Sequence, residues 1–356
     1  MSFDTTLSQQ DQANKPKGRI SSRDVARMAG VSTATVSLVV RGSNLVKEST
    51  RERVQAVINQ LGYQSHAAAS ALRSAHANTV GYLVPEIIEP VRDIFRHQIL
   101  SALTTQAHSE GLHVLLDTLI NAQTHAYLVN SGRIDGAIVD WMIDDALLTT
   151  LAERRVPCVL VGRDSGTIPI SWVKADEYHG AYQLTQHLIE LGHRQMLVLS
   201  GGDENINSII HERIQGYRAA LDRAGMQDCE AIMWGDWTFE SGYQMAKEAL
   251  TKTPRPTALL ALNEGIAVGV LKAIREAGLQ VPLDISVGTI EDSPLVEYVS
   301  PELTSVHIPM YEVGKHATEI LVHLIMSEQP IPQQRILPTY LQVRASTGPA
   351  STGRNP

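Results

Sequence analysis

The sequence predicts two folded parts, a small all-helical domain at the N-terminus and a larger α/β body made of two lobes. Three observations support this prediction. Residues 20–61 show apolar positions at helical spacing, with capping residues near the helix starts. From Thr79 onward, short apolar runs alternate with segments long enough to form helical crossovers, and the alternation begins again after Asp176. The length of 356 residues also suits two or three compact units.

The segment from Ile20 to Arg41 predicts two short helices joined by a tight turn. Ser21 and Asp24 form a capping pair for the first helix. Gly30 can take the left-handed conformation that ends this helix, and Ser32 can cap the next one. The layout is that of a helix-turn-helix motif, whose second helix enters the major groove of DNA, although a helical hairpin in any core is the alternative. The apolar positions at helical spacing are Val25, Ala26, Ala29, Val36, Val39 and Val40.

A third helix is predicted from Thr50 to Leu61, where one apolar face would complete a three-helix core. Ser49 and Glu52 form a capping box for this helix, and Gly62 ends it. Residues 1–19 show no hydrophobic periodicity, which predicts a disordered arm.

The charge distribution favours DNA as a partner of the N-terminal part. Residues 1–75 contain ten Lys and Arg against five Asp and Glu, whereas the remaining residues contain 20 against 33. The overall net charge of -8 therefore hides a basic N-terminal module on an acidic body. Because neutralisation of phosphates supplies most non-specific affinity for DNA, this asymmetry is typical of a DNA-binding head.

Composition and motifs argue against several other classes. No apolar run of about 18 residues is present, and the polar N-terminus does not look like a secretion signal, so we expect a cytoplasmic protein without a membrane segment. Cys158 and Cys229 lie far apart, without a spacing typical of a metal site or a disulfide framework. The 13 histidines show no metal-ligand spacing, and no phosphate loop or nucleophile elbow is found. We therefore expect no catalytic residues, no metal and no cofactor.

The body is predicted to contain two successive series of parallel strands connected by helices. Such lobes place a ligand cleft at the carboxyl ends of their strands. The predicted strands of the first series are Val80 to Val84, His113 to Leu116, Gly136 to Val139 and Pro157 to Val161. Those of the second are Gln195 to Leu199, Ala231 to Trp234, Thr257 to Leu262, Ile285 to Thr289 and Thr304 to Ile308.

Several short motifs together resemble the lactose/galactose-repressor family of bacterial transcription regulators. They are Asp24-Val25-Ala26, Gly30-Val31-Ser32, Thr35-Val36-Ser37, Thr50-Arg51-Glu52-Arg53-Val54, Leu61-Gly62-Tyr63 and Ala71-Leu72-Arg73. The resemblance implies that the last motif belongs to a hinge helix. It also implies a body similar to periplasmic sugar-binding proteins, with helices on both faces of each parallel sheet and three crossings between the lobes, near Asp176, Ile308 and Leu337.

The resemblance and the patterns together give the expected domain organisation. A disordered arm (1–19) precedes the helix-turn-helix domain (20–64), the hinge helix and linker (65–78), the effector-binding and dimerisation domain (79–345) and a flexible tail (346–356). The N-lobe is expected to comprise about 79–176 and 308–336, and the C-lobe about 177–307 and 337–345.

The DNA contacts implied by the resemblance fall into three groups. Leu72 would wedge between base pairs in the minor groove, beside Ala69 and Arg73 of the hinge helix. Ser65 and His66 depart from the proline and asparagine that are common in the family. The expected base-reading residues of the second helix are Thr33, Ala34, Ser37 and Leu38. The other expected contacts, mainly with phosphates, are Ser21, Ser22, Arg41, Lys47 and Thr50.

Arg213 matches a family arginine that binds effector oxygens. A guanidinium suits this role because its rigid fork can hold two oxygens at once. An exposed salt bridge is the alternative. Trp237 lies where the family places an aromatic side chain in the cleft, although a core role is the alternative. Asn263 would contact sugar hydroxyls or only cap a helix. Glu291 stands where the family commonly has aspartate. In the same way, Glu264 follows Asn263 where the family usually has aspartate. The expected effector residues are Asp140, Trp141, Arg213, Trp237, Asn263 and Glu291.

These features predict a homodimeric transcription regulator, a repressor in most such families, that binds double-stranded palindromic operator DNA. A sugar or nucleoside-like effector between the lobes would control its DNA affinity. The alternatives are a sugar-type solute-binding protein without a DNA role and a sugar-processing enzyme. At Leu38 many family members have arginine, so we expect that guanine is not required at the facing base pair.

Overall fold

The structure, a computed structural model, describes residues 20–40, 43, 45–63, 77–85, 94–118, 132–203 and 208–351. The chain divides into two compact units, Met1–Ala77 and Asn78–Pro356. The predicted disordered arm and most of the predicted hinge lie outside the described residues. So do the four expected DNA contacts Arg41, Ala69, Leu72 and Arg73.

In the described part of the N-terminal unit, three helices surround a small apolar core. The helices are α1 (Ser22–Ala29), α2 (Thr33–Val40) and α3 (Glu48–Leu61). The buried core residues are Val25, Ala26, Ala29, Val36, Val39, Val54 and Val57. Because α1, α2 and α3 each contribute an apolar stripe to this core, none of them could bury its own stripe alone.

The turn between α1 and α2 has the predicted chemistry. Gly30 has φ +63°, and its amide donates to the carbonyls of the last turn of α1. The Ser32 hydroxyl accepts a hydrogen bond of 3.1 Å from the Thr35 amide, which confirms the predicted cap of α2. Asp24 accepts bonds from the Ser21 amide (3.0 Å) and hydroxyl (2.6 Å), as its place in a capping pair requires.

The predicted start of the third helix is wrong by two residues. Helix α3 begins at Glu48, and the Lys47 carbonyl accepts from the amides of Thr50 and Arg51 at 2.9 and 3.0 Å. Ser49 therefore lies inside the first turn and does not precede it. The helix begins without a side-chain cap, which the capping-box pattern could not reveal.

The first lobe of the body is a six-stranded parallel sheet in the order β2-β1-β3-β4-β5-β11. Its strands are β1 (Thr79–Val84), β2 (His113–Thr118), β3 (Gly136–Val139), β4 (Cys158–Val161), β5 (Ser171–Ala175) and β11 (Gln334–Leu337). The helices among the described residues of this lobe are α4 (Ile94–Ser109), α5 (Asp145–Glu153) and α11 (Met310–Met326). Strands β1, β3 and β4 carry buried apolar side chains on both faces, as parallel strands under helices do.

The second lobe is a six-stranded sheet in the order β7-β6-β8-β9-β10-β12, of which only β12 is antiparallel. Its strands are β6 (Met196–Ser200), β7 (Ile232–Trp234), β8 (Ala258–Ala261), β9 (Ser286–Ile290), β10 (Thr304–His307) and β12 (Tyr340–Gln342). Its helices are α6 (Glu177–Glu190), α7 (Ser208–Arg223), α8 (Phe239–Thr251), α9 (Glu264–Glu276) and α10 (Leu295–Tyr298).

The chain passes between the lobes at three places, after β5, after β10 and after β11. Two of these crossings are bonded to each other. The Asp176 amide donates to the Leu337 carbonyl at 2.9 Å, and the Thr339 hydroxyl donates to the Asp176 carbonyl at 3.0 Å. Asp176 also caps α6 through the His179 amide at 3.0 Å. The crossings after β5 and after β11 are thus hydrogen-bonded to each other.

The predicted flexible tail is wrong for its first part, residues 346–351. Ser346 is fully buried, and its hydroxyl donates to the Val287 carbonyl at 2.6 Å and accepts from the Thr304 amide at 2.8 Å. The Ala350 amide donates to the Leu191 carbonyl at 2.9 Å. The Gly, Pro and Ser composition correctly excludes regular structure. The same small residues let the backbone lie against β9 and its neighbours, where it satisfies their hydrogen bonds.

Across the described ranges, none of the helices is both long enough and apolar enough to cross a bilayer.

Candidate effector cleft and DNA-reading helix

A narrow cleft with about 30 Å³ of internal space, roughly the room of one water molecule, lies at the carboxyl ends of the second lobe's strands. It contains three of the predicted effector residues, Trp237, Asn263 and Glu291. Ile94 of α4 contributes the wall from the first lobe. The remaining lining residues are Thr238, Phe239, Glu264, Gly265 and Leu295.

Arg213 lies behind this cleft, with its side chain only 1 % exposed. Its Nε donates to Glu177 Oε2 at 2.8 Å, and its Nη1 donates to Glu291 Oε1 at 3.1 Å and to the Leu262 carbonyl. Its Nη2 is buried and has no hydrogen-bond partner among the described residues. The alternative interpretation of an exposed salt bridge is therefore wrong, because the guanidinium is buried between two carboxylates.

Glu291 follows β9 with φ +80°, a backbone conformation that side chains other than glycine rarely adopt. Such strain is typical of functional sites, where the surrounding structure holds it in place. The side chain is 15 % exposed. Burial raises the pKa of Glu291 to about 8, although Arg213 acts in the opposite direction.

Glu264, which precedes the cleft's glycine, is a site residue that we did not predict. Its Oε2 accepts a hydrogen bond of 2.9 Å from the Ser293 amide. Burial raises the pKa of Glu264 above its ordinary value, against the opposing bonds from Ser293. Its position directly after Asn263, at the end of a strand, is the sequence signal that could have identified it.

The indole of Trp237 packs directly on Gly201 at the end of β6. A Cβ atom on Gly201 would lie 2.2 Å from Trp237 Cδ2, so only glycine permits this contact. Trp237 also packs against the apolar cores of the body. Its two proposed roles, in the cleft and in the core, are therefore compatible.

Asn263 also serves two purposes. Its Oδ1 accepts a hydrogen bond of 2.8 Å from the Ile266 amide and so caps α9, as predicted. The side-chain nitrogen remains a donor that a ligand in the cleft could use.

Asp140 and Trp141, the two residues predicted from the first lobe, do not line the cleft. Asp140 is fully buried and accepts two bonds from Arg96, Nε to Oδ2 at 2.7 Å and Nη2 to Oδ1 at 3.0 Å. The Arg96 guanidinium lies 4.5 Å above the Trp141 ring, and Gly162 lies against the same indole. Sequence reasoning missed Arg96, since its distance of 44 positions from Asp140 leaves no local signal.

The N-terminal unit presents the start of α2 to solvent. Thr33 and Ala34 are exposed, while Ser37 and Leu38 are partly exposed on the same helix. Lys47 is also exposed, whereas Ser21, Ser22 and Thr50 are partly exposed near helix N-termini. Amides and hydroxyls at helix N-termini are suited to bind phosphate oxygens, and the short side chains of α2 leave room for base edges.

Comparisons with known proteins match both parts of the chain. Residues 22–66 match the family described as "Bacterial regulatory proteins, lacI family", and residues 185–347 match "Periplasmic binding protein-like domain". The HTH-type transcriptional regulator CelR of Thermobifida fusca is 34% identical over 333 residues, which cover 90% of this chain and 96% of the relative.

Solved structures agree with these matches. The lac repressor dimer bound to operator and the anti-inducer ONPF aligns with a TM-score of 0.83 and 27% identity, over 93% of this chain and 100% of that chain. A complex of the transcriptional regulator CelR with cellobiose aligns with a TM-score of 0.67 and 32% identity, over 92% of this chain and 100% of that chain. Both matches include the two lobes and extend over the N-terminal part of the sequence.

Proposed function

The chain belongs to the lacI family of bacterial regulatory proteins. We propose that it is a repressor whose affinity for a palindromic operator depends on a small effector bound between its lobes. The observation that carries this proposal is the pairing of a solvent-exposed reading helix in one unit with an aromatic and acidic cleft in the other. A solute-binding protein without a DNA role would not need the first of these.

On the DNA side, the protein acts as a homodimer that reads two half-sites. Thr33, Ala34, Ser37 and Leu38 contact base edges in the major groove. The groups at the helix N-termini hold phosphates and fix the register without reading sequence. The lac repressor, with which this chain aligns, was solved as a dimer on its operator. Two-fold symmetry of the protein requires a palindromic site.

On the effector side, the ligand is a sugar or nucleoside-like molecule. Trp237 offers an apolar face for the ring, Asn263 offers an amide, and Arg213 with Glu291 offers charged hydrogen-bonding groups. The aligned regulator CelR was solved in complex with cellobiose, which is a sugar.

Coupling between the two sites uses the three crossings between the lobes. Lys174 of β5 and Glu212 of α7 form an ion pair across the lobes, with Asp164 at 3.6 Å from the same ammonium group. A ligand that changes the angle between lobes changes such contacts and, through them, the pairing of the two hinge segments in the dimer. By thermodynamic linkage, operator DNA then changes effector affinity by the same factor. The protein works in the cytoplasm, at the nucleoid when it is bound to DNA.

The test is a fluorescence-anisotropy titration of the full chain on a palindromic site from its own promoter, with a scrambled duplex as control. We expect saturable binding at moderate salt that exceeds binding to the scrambled site by at least about 10³-fold. A thermal-shift screen of neutral sugars, amino sugars and nucleosides then identifies effectors, which must also change the operator affinity. Equal affinity for both duplexes contradicts the proposal.

A further inference from the structure

Two buried carboxylates share one guanidinium at the base of the cleft, and a third, that of Glu264, is close enough to act on Glu291 electrostatically. Glu177 and Glu264 are 2 % and 4 % exposed, Glu291 is 15 % exposed, and Arg213 is the cation that bonds to two of them. Asp292, the residue after Glu291, pairs with other cations. Its carboxylate lies 3.3 Å from His307 and 3.8 Å from Arg344. The cleft is therefore richer in acids than in bases.

The guanidinium of Arg213 is not free to receive an anion. Glu177 holds its Nε, and Glu291 and the Leu262 carbonyl share its Nη1. Its Nη2, buried and unpartnered among the described residues, can still donate to a neutral oxygen such as a hydroxyl. An anionic ligand bound to Nη1 would have to displace Glu291, and one bound to Nη2 would add a negative charge beside Glu177 and Glu291.

An ammonium group satisfies the same site without such a displacement. It would donate to Glu291 and Glu264, which both line the cleft, and bonds between charged partners are stronger than neutral ones. Trp237 and Phe239 line the same cleft, and aromatic faces attract ammonium groups. We propose that the cleft selects an effector that carries an ammonium group beside hydroxyl groups, in the simplest case an amino sugar, and that Glu291 is the residue that sets this preference.

This inference rests on the proposed function, since it names the chemical class of the effector. It agrees with the protonation of the cleft. Burial raises the pKa of Glu291 to about 8, so the ligand-free carboxyl holds a proton at pH 7 more readily than an exposed carboxyl does. An ammonium ligand stabilises the carboxylate form, and Glu291 then loses its proton to the buffer. A neutral sugar would bind without this release.

The experiment compares matched sugars by isothermal titration calorimetry on the full chain at pH 7.0. The probes are glucosamine, galactosamine and mannosamine, each against its parent hexose and its N-acetyl derivative, which is larger but uncharged. We expect at least one amine to bind about tenfold more tightly than both matched forms, in line with a charge-assisted hydrogen bond. Titrations in two buffers of different ionisation enthalpy should show that this amine releases protons.

The variant Glu291→Gln keeps the side-chain size and removes the charge. We expect it to reduce the preference for the amine to within about threefold and to abolish proton release. Asp292→Asn, at the adjacent position that bonds away from the cleft, should keep both. Circular dichroism checks that each variant is folded.

Binding of the parent hexoses as tightly as the amines, or no binding of any amine, overturns the inference. If a neutral sugar changes operator affinity and binds at least as tightly as every amine, the proposed function stands and the amine preference alone is wrong. If the chain does not discriminate operator from scrambled DNA, the proposed function fails, whatever the sugars do.

Discussion

Asp140 and Arg96 form a bidentate pair in which two N–H···O bonds of 2.7 and 3.0 Å join a fully buried carboxylate to a guanidinium. A third bond, from the Met142 amide at 2.9 Å, also reaches this carboxylate. Asp140 was predicted to bind the effector directly. In the structure both of its carboxylate oxygens accept hydrogen bonds from Arg96 instead. Asp140 positions Arg96, whose side chain is 12 % exposed, over the Trp141 ring.

Removal of one partner of this pair should destabilise the body strongly. We expect Asp140→Ala to lower the free energy of unfolding by about 3–5 kcal/mol, because it leaves a largely buried guanidinium without its carboxylate. Urea denaturation measures this change. The control is Glu248→Ala, which removes an exposed pair with Lys252 at 3.8 Å and should cost less than about 1 kcal/mol. Similar losses in the two variants would contradict the structural role of Asp140.

Substitution of Gly201 should disturb the aromatic wall of the cleft and spare DNA binding. In Gly201→Ala the new methyl group would lie 2.2 Å from Trp237 Cδ2, so the indole has to move. We expect effector affinity to fall about tenfold or more and the tryptophan emission to shift. In the control Gly202→Ala, the nearest atom is Ile210 Cδ1 at 3.2 Å, the terminal atom of that side chain, and affinity should change little. Operator affinity in the absence of effector should be equal in both variants.

We expect that guanine is not required at the base pair that Leu38 faces, because leucine offers only apolar contact, for example to a thymine methyl group. Selection of binding sites from a random pool with the unmodified chain tests this expectation. An invariant G·C pair at that position would show that it is wrong. Leu38→Arg should introduce a preference for guanine worth about 1–3 kcal/mol, because arginine can bind guanine in a bidentate manner.

His193 should make the packed tail sensitive to acid. Its Nδ1 lies 2.9 Å from the Thr257 hydroxyl, and its Nε2 lies 3.1 Å from the Ser286 hydroxyl and 3.0 Å from the Gly348 carbonyl. Burial lowers the pKa of His193 from its ordinary value of 6.5. Below that value the unfolded chain binds the proton more readily than the folded one. The stability that depends on neutral His193 is therefore present above about pH 6.5 and is lost as the pH falls.

Urea midpoints at pH 7.5 and pH 5.5 measure this effect. We expect His193→Gln to be less stable than the unmodified chain at pH 7.5 but to lose less stability on acidification. The pKa of His187 is also lowered by burial, so His187→Gln serves as the comparison for a second histidine near the tail. Equal losses on acidification in the His193→Gln variant and the unmodified chain would exclude this role.

Local signals explain why much of the fold was predictable. The turn between α1 and α2 depends on a glycine, a hydroxyl and a few apolar positions within about 20 residues, all visible in the sequence. The central strands β1, β3 and β4 are continuous apolar runs and were predicted to within one residue at either end. Edge strands β11 and β12 were not predicted, because their residues are mostly exposed and acquire a sheet partner only through distant pairing.

The cleft shows the same division. Trp237, Asn263 and Glu291 each follow a strand, so their positions at one edge of a sheet could be inferred. The bond from Arg213 to Glu291 joins residues that are 78 positions apart, and the pair Arg96 and Asp140 is separated by 44. Which charges neutralise one another is a property of the packed structure, and no spacing rule reveals it.

The first lobe is built from two distant stretches of chain, because β11 is the last strand of a sheet that begins at β1, and α11 packs on that sheet. Leu321 of α11 belongs to the same buried cluster as Val80 and Ile138 of that sheet. During synthesis, the strands up to β5 are therefore made well before α11, the helix that packs on them. This helix leaves the ribosome only after nearly all of the second lobe has been made. At about 5–20 residues per second, that interval is on the order of 10 s. A nascent chain stalled within the second lobe would expose the apolar face of the first lobe's sheet. We expect chaperones to bind the nascent chain at this face.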